Sequence, residues 1–227
     1  MKYHHIEQGI FVSRPNRFIA KVLLHGEETL CHVKNTGRCK EILIPGVKVL
    51  VDKATNPNRK TGYDLIGAYK EKMLINIDSQ APNQVVEEWL KEGRMFPNFQ
   101  KMKREVSYGH SRFDFWIKDQ NGQEHFMEVK GVTLEKHAMA FFPDAPTLRG
   151  IKHIEQLVQA QEKGYQSHLF FVIQLKGVEG FSPNDETHQA FGETLRWAAK
   201  QGVSIYVKDC MVTENTLAID QDVPLLL

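Results

Sequence analysis

The segment EHFMEVKGV, residues 124–132, combines an apolar strand pattern with two charges. Phe126, Met127 and Val129 predict a strand that enters a core. Because side chains alternate between the two faces of a strand, Glu128 and Lys130 point the same way. An acid and a base placed like this either form an ion pair on an exposed edge strand or belong to a reactive site.

A second acid, Asp114, lies on the preceding strand of the predicted hairpin SRFDFWIKDQNGQEHFMEVK. A two-residue turn at Asn121 and Gly122 would put Asp114 and Glu128 on opposite faces. A three-residue loop, with a left-handed Gly122 in a bulge, would pair Asp114 directly with Glu128. We favour the second register, because it brings Asp114, Glu128 and Lys130 together on one face.

Two carboxylates that close repel each other unless something neutralises them. Mg²⁺, or the similar Mn²⁺, prefers a couple of carboxylates together with waters and a phosphate oxygen. A neighbouring lysine can orient the attacking water or stabilise charge on the phosphorus. The sequence therefore predicts a metal-dependent phosphodiester-cleaving centre with Asp114 and Glu128 as ligands and Lys130 as a catalytic residue.

The segment FFPDAPTLRGIKH predicts a loop that leads into a helix, with Thr147 as the N-cap. Arg149, Lys152 and His153 fall in the first turns of that helix. Free backbone N–H groups at a helix start, together with basic side chains, favour a phosphate. We expect these three residues to contact substrate phosphate. The alternative is a solvated loop with exposed basic residues and no function, which has the same sequence pattern.

Two loops in the first part of the chain carry further basic residues. VKNTGRCK contains Lys34 and Arg38 around an Asn-Thr-Gly turn, and NPNRKTGY contains Arg59 and Lys60 beside a tyrosine. Basic side chains with turn amides or an aromatic ring are typical of nucleic-acid contacts. Each loop could equally be solvated and without function.

The elements that must position these residues fall into two groups. Residues 1–80 contain short strand patterns separated by turn signals, at 9–14, 18–24, 29–34, 47–54, 64–70 and 73–78. This pattern predicts a small antiparallel barrel, for which the OB-fold is the common solution. Residues 81–227 begin with a helix capped by Asn83, followed by clustered strands that give way to alternating helices and strands. They predict a mixed sheet with flanking helices, so the chain is α/β, or α+β overall, with a boundary near residue 80.

Composition agrees with two units in a reducing compartment. Residues 1–80 carry 13 Lys and Arg against 8 Asp and Glu, whereas residues 81–227 carry 16 against 20. Three widely spaced cysteines, Cys31, Cys39 and Cys210, argue against a disulfide framework or a zinc knuckle. The sequence has no run of eighteen apolar residues and no apolar signal region at its start, so we expect a cytoplasmic protein without a membrane partner.

The order of these motifs resembles the PD-(D/E)xK nucleases, in which an acid on a helix is followed by a strand with Asp and a strand with E-x-K. More specifically, the chain resembles the sugar fermentation stimulation protein family of bacteria and archaea, from residue 9 to about residue 210. The matching blocks include VKNTGRCKEILIPGVKV, REVSYGHSRFDF, MEVKGVTL and FFPDAPTLRGIKHIEQL.

The resemblance implies an N-terminal OB-fold, a nuclease-like domain, DNA binding and a link to the regulation of sugar-utilisation genes. By position it assigns the core triad to Asp114, Glu128 and Lys130, and it assigns the helix acid, a third metal ligand, to Glu88. A DNA-binding regulator that uses the nuclease fold only as a scaffold remains an alternative. A metal-dependent phosphoesterase that acts on a small nucleotide is another, and a homodimer is favoured only because dimers are common.

Overall fold

The computed structural model describes residues 1–35, 37–56 and 58–227. Thr36, in the predicted Asn-Thr-Gly turn, and Pro57, in the predicted basic loop, lie outside the described residues. No helix in the described part of the chain is long and apolar enough to cross a membrane.

The first strands form a barrel. Its members are β1 (Ile6–Asn16), β2 (Ile19–Leu24), β3 (Glu27–Val33), β4 (Lys48–Lys53), β5 (Tyr63–Lys70) and the appended β6 (Met73–Asn76). The strands are hydrogen-bonded in the order β3-β2-β1-β4-β5-β6, and β3 also pairs with β5 in parallel. That extra pairing closes five strands into a barrel, which confirms the OB-fold prediction.

Alternation along each barrel strand supplies the interior. In β2, Ala20, Val22 and Leu24 are buried, whereas the residues between them are partly or fully exposed. Successive strand residues point to opposite faces, so one apolar row per strand is enough to fill a small barrel.

The rest of the chain builds a mixed sheet with three helices. In chain order the elements are α1 (Ala81–Lys91), β7 (Lys101–Tyr108), β8 (Ser111–Lys118), β9 (Glu124–Val132), β10 (Leu134–Lys136), β11 (Met139–Phe142), α2 (Leu148–Glu162), β12 (Gln166–Ile173), β13 (Gly180–Pro183), α3 (Asp185–Lys200), β14 (Ser204–Val212) and β15 (Leu217–Asp222). The large sheet has the order β15-β14-β12-β9-β8-β7, and β10, β11 and β13 form a small second sheet. Strand β12 is parallel to both β9 and β14, as the predicted helix–strand alternation requires.

The two faces of the large sheet are covered by different helices. On β9, Met127 and Val129 pack in the core under α1 with Val85 and Val86, whereas Phe126 packs in the core under α2 with Ile154. Glu128 and Lys130 alternate along β9 with Met127 and Val129, so their side chains point to the opposite face, toward α2.

Helix α1 differs from its prediction at the start. Its N-cap is Gln80, and Pro82 occupies the first turn. Asn83 therefore lies inside the helix, and the prediction that it caps the helix is wrong. Proline is well tolerated in the first turn, where its missing N–H leaves no hydrogen bond unmade.

A buried polar contact joins the barrel to the large sheet. The Gln174 side chain, just after β12, donates to Asn76 Oδ1 at 2.9 Å and to the Asp78 carbonyl at 3.0 Å. Asp78 also holds the start of α1, because its Oδ1 accepts from the Gln80 N–H at 2.9 Å. The end of the barrel thus fixes where α1 begins.

Candidate active site

The β8–β9 hairpin brings the two predicted carboxylates to the same level of the sheet. Phe115 pairs with Met127, and Gly122 in the loop has a φ of 85°. This is the register of the three-residue loop, which is confirmed. Continued by one residue, it places Asp114 opposite Glu128.

Strand β8 changes its orientation at Asp114. Phe113 packs in the core under α2, whereas Phe115 packs in the core under α1. Residues two apart on a regular strand share a face, so the strand must twist at Asp114. Its neighbour on β7 in the same register, Glu105, has a φ of 53°, which is uncommon for a residue other than glycine.

The twist directs the Asp114 carboxylate between the strands. Asp114 Oδ2 accepts from the Val129 backbone N–H at 2.7 Å, in the position where a β8 carbonyl would continue the ladder. Asp114 Oδ1 accepts from the Asn83 side-chain amide of α1, also at 2.7 Å. The prediction that Asp114, Glu128 and Lys130 share one face is therefore right for Glu128 and Lys130 and wrong for Asp114. The Asp114 side chain lies at the opening where β8 and β9 separate.

The position of Asp114 makes its negative charge costly. Burial first, and the charge of Glu128 second, raise the pKa of Asp114 to about 6. The Val129 N–H, the Lys130 ammonium and the Asn83 amide oppose that rise without cancelling it. Asp114 therefore becomes protonated close to neutral pH unless a further positive charge is present.

Glu128 is buried with only one of its oxygens satisfied. The side chain is 3% exposed, and its Oε1 accepts from Lys130 Nζ at 2.5 Å and from His153 Nδ1. Burial raises the pKa of Glu128, but Lys130 and His153 outweigh burial and bring the pKa below its ordinary value. Within the described residues, Oε2 is buried and has no hydrogen-bond partner.

His153 reaches Glu128 from the second turn of α2. The helix starts where predicted, because Thr147 Oγ1 accepts from the Gly150 N–H at 3.0 Å. Arg149 Nε donates to His153 Nε2 at 3.3 Å, so in this network His153 carries its proton on Nδ1 and donates it to Glu128. We expected His153 to contact phosphate; it is instead 6% exposed and packed against the acid.

The donor set fits a hard divalent cation. An unpartnered carboxylate oxygen on Glu128 and a carboxylate with a raised pKa on Asp114 both favour added positive charge. Across residues 1–35, 37–56 and 58–227, however, no three His, Cys, Asp or Glu side chains are grouped so that they could hold a metal ion. The fit rests on two carboxylates, as for Mg²⁺ ions that take their other ligands from water and phosphate.

Glu88, the expected helix acid, is engaged elsewhere. Its Oε2 accepts from the α-amino group of Met1 at 2.6 Å, and its Oε1 from the Gln84 amide. Neighbouring Glu87 pairs with Arg104 at 2.7 Å. The α1 residue that contacts the site is Asn83, whose place in the first turn was the available signal and was interpreted as a cap.

A basic cleft of about 510 Å³ opens beside the acids. It is lined by the β7–β8 turn and the start of α2, with Ser107, Gly109, His110, Ser111, Arg112, Arg149, Lys152 and His153. Arg149 and Lys152 are exposed there, as expected for phosphate contacts. Because His153 belongs both to the cleft wall and to the Glu128 network, the cleft is adjacent to the buried acid.

The basic residues of the two predicted barrel loops divide into a paired group and an exposed group. Lys34 and Arg59 both pair with buried Asp64, at 3.3 and 2.5 Å, and Lys34 also pairs with Asp78 at 3.3 Å. Burial raises the pKa of Asp64, but Arg59, Lys34 and His32 outweigh it and bring it to about 2. The charges of Lys34 and Arg59 are thus largely neutralised by Asp64, whereas Arg38 and Lys60 are exposed.

Comparisons with known proteins cover nearly the whole chain. Residues 80–216 match the family model described as the sugar fermentation stimulation protein RE domain, and residues 12–77 match the SfsA N-terminal OB domain. A sugar fermentation stimulation protein homolog of Desulfitobacterium hafniense (strain DSM 10664 / DCB-2) is 54% identical over 217 residues, covering 96% of this chain and 94% of the relative. A homolog of Ruminiclostridium cellulolyticum is 48% identical over 227 residues, covering 100% of both chains.

A solved structure shows the same fold. The structure of Pyrococcus furiosus SfsA in complex with Ca²⁺ aligns with a TM-score of 0.91 at 26% identity, covering 100% of this chain and 98% of that one. The barrel followed by a mixed sheet is therefore shared at full length between the two proteins.

Proposed function

The chain belongs to the sugar fermentation stimulation protein family, and we propose that it binds DNA and hydrolyses a phosphodiester with Mg²⁺ or Mn²⁺. The functional units in this proposal are residues 1–80, which dock nucleic acid, and residues 81–227, which hold the reactive centre. The observation that carries it is the buried Glu128, with one oxygen unpartnered among the described residues and the other bound to Lys130.

Asp114 and Glu128 would hold the metal, which would supply Lewis acidity and lower the pKa of a bound water. Lys130 Nζ lies 2.5 Å from Glu128 Oε1. Its side chain is 15% exposed, so Nζ can also reach a water or a phosphate oxygen. His153 keeps Glu128 ionised and oriented by donating from Nδ1. Ca²⁺ in the Pyrococcus furiosus structure supports a hard-cation site in this family without identifying the ion used here.

Arg149 and Lys152 would position the scissile strand. Both are exposed on the first turns of α2 and line the cleft next to His153. Cationic side chains at the start of a helix bind phosphate oxygens through charge and directed N–H groups. The phosphodiester would thus be held within reach of Lys130.

A non-catalytic DNA-binding regulator is the second candidate, and the position of Glu88 favours it. With Glu88 bound to the α-amino group of Met1, Asp114 and Glu128 are the two carboxylates that remain for a metal among the described residues. Binding without cleavage would fit the link to sugar-utilisation genes that the family name suggests. Cytoplasmic localisation is part of both versions, because the cysteine pattern favours a reducing compartment.

The deciding experiment compares the parent protein with Glu128→Gln and Glu88→Gln on single- and double-stranded DNA with Mg²⁺ or Mn²⁺. Glu88→Gln removes the same charge from an acid outside the site and is the matched control. We expect cleavage by the parent and the control only, together with Mn²⁺-dependent thermal stabilisation that Glu128→Gln lacks. DNA binding without cleavage in all three would support the regulator, and no binding at low salt would refute both and favour a small-nucleotide substrate.

A further inference from the structure

A second cavity, of about 470 Å³, lies on the barrel, and of the predicted nucleic-acid contacts it includes Arg38. Its first wall is the second half of β1 with the β1–β2 turn, and its second wall is the segment before β4. The lining residues are Phe11, Ser13, Arg14, Asn16, Arg17, Gly37, Arg38, Lys40, Leu43 and Pro45. Its size falls in the range of small-ligand pockets. Phe11, Leu43 and Pro45 give it an apolar floor.

One arginine holds the two walls together. The Arg14 guanidinium donates to four backbone carbonyls, those of Gly37 and Arg38 at 2.8 Å each, Arg17 at 2.7 Å and Asn35 at 2.6 Å. The first wall contains Arg17 and the second contains the other three residues. Because these bonds tie the two walls to each other, the cavity is preformed rather than opened by a ligand.

The rim of the cavity is cationic. Arg17, Arg38 and Lys40 are exposed, and none of them forms an ion pair with another described residue. The Arg17 guanidinium lies 4.8 Å from the centroid of the Phe18 ring, which is 46% exposed. A guanidinium beside an exposed aromatic ring can take part in cation–π contact and stacking with a base.

We propose that this cavity binds a single unpaired nucleotide, with the base on the apolar floor and its phosphate on the Arg17–Arg38–Lys40 rim. An unpaired nucleotide has both parts that the cavity matches, a flat apolar face and an anion. A base in a blunt duplex is stacked between its neighbours and offers this cavity only its phosphates. The inference rests on the proposed DNA binding when the nucleotide belongs to a strand, and a free mononucleotide presents the same chemistry.

Contacts between the units place this cavity next to the basic cleft. The Arg38 backbone N–H donates to Asp144 Oδ2 at 3.2 Å, and Asp144 lies in the loop that leads into α2. Gly37 approaches the same carboxylate so closely that a Cβ there would clash with it. A strand with one nucleotide in the cavity would therefore lie close to the loop that leads to Arg149 and Lys152.

The experiment measures fluorescence anisotropy of labelled DNA in EDTA, so that cleavage is excluded. The probes are a blunt duplex and the same duplex with a single-stranded overhang, and unlabelled deoxythymidine monophosphate is the competitor. The test variant is Arg17→Gln with Lys40→Gln. The matched control is Lys53→Gln with Lys72→Gln, which removes two exposed barrel charges away from the cavity.

We expect the parent and the control to bind the overhang probe about tenfold more tightly than the blunt one, as stacking of a single base allows. The test variant should lose that preference and bind blunt duplex as the control does. Competition by the mononucleotide, absent in the test variant, would extend the site to free nucleotides. If it does not compete while the overhang preference holds, the nucleotide must be part of a strand.

Two outcomes would overturn the inference and leave the proposed DNA binding intact: an equal affinity of the parent for both probes, or an equal loss in the test and control variants. If the parent binds neither probe, the proposed function fails. In that case calorimetry of mononucleotide binding to the parent and to the test variant tests the cavity independently. Equal binding heats in the two proteins, or no binding heat in the parent, would refute the proposed nucleotide site.

Discussion

Replacing Asp114 by asparagine should stabilise the metal-free protein at neutral pH. The buried carboxylate beside Glu128 has its pKa raised from 3.8 to about 6, so keeping it ionised above pH 6 costs folding free energy. Asparagine is nearly the same shape and can still accept from the Val129 N–H through its carbonyl. The Asn83 amide, which now donates to Asp114, can rotate to offer its own oxygen to the new NH₂ group.

The magnitude follows from the size of the pKa shift. About two pKa units correspond to about 3 kcal/mol at pH 7.5, where the native carboxylate is ionised. The cost is absent below pH 3.8, where Asp114 is protonated in both the folded and the unfolded chain, and it grows as pH rises toward 6. At pH 5 we expect about half of the full effect.

Urea unfolding in EDTA at pH 5.0 and 7.5 measures the difference, with Glu88→Gln as a charge-matched control that should show no such gain. Asp114→Asn should be more stable than the parent at both values, and by more at pH 7.5. Added Mn²⁺ should stabilise the parent and leave the variant unchanged. A variant that is destabilised equally at both pH values would refute the view that the Asp114 charge is a cost tolerated for cation binding.

Three further predictions concern the surroundings of the site. Asp64→Asn should destabilise the protein by about 2.5 kcal/mol at pH 7, because the pKa of Asp64 is lowered to about 2. In urea unfolding this difference in stability should disappear as pH falls from 4 to 2. A difference that stays constant with pH would contradict the prediction. Arg149→Gln should weaken DNA binding for all sequences alike and reduce the salt slope by about 1, and an unchanged slope would exclude a phosphate contact. His153→Phe should lower the free energy of unfolding by about 1–3 kcal/mol, measured by thermal or urea unfolding, because it removes a donor to buried Glu128. His153→Gln keeps a donor and should lower the free energy of unfolding by less. Equal losses in the two variants would argue against the hydrogen bond.

Local patterns were sufficient for the frame of the molecule. Short apolar strands separated by turn residues predicted the barrel, and its closure by β3 and β5 agrees. Of the two hairpin registers that the sequence allowed, the three-residue loop was favoured because it groups the charges, and the pairing of Phe115 with Met127 and the left-handed Gly122 agree with it. Thr147 caps α2 as its position before the apolar stripe indicated. The strand pattern, the hairpin loop and the helix cap each depend on residues that are neighbours in the sequence, whereas the β3–β5 closure joins residues about thirty positions apart.

Contacts between distant segments decided the rest. Glu88 accepts from the α-amino group of Met1, and the α1 residue that donates to Asp114 is Asn83. Asp64 pairs with both Lys34 and Arg59, and the sequence positions of these two residues do not reveal the pairing.

The sequence by itself determined the strands of the barrel, the alternation of helices and strands that follows it, and that Glu128 and Lys130 share one side of β9. The tertiary structure alone decided where Asp114 points, that His153 binds Glu128, and which basic residues keep a free charge. The physical reason is range: periodicity and turn preferences act over a few residues. The pairing of a buried charge depends instead on whatever partner folding brings within hydrogen-bond distance.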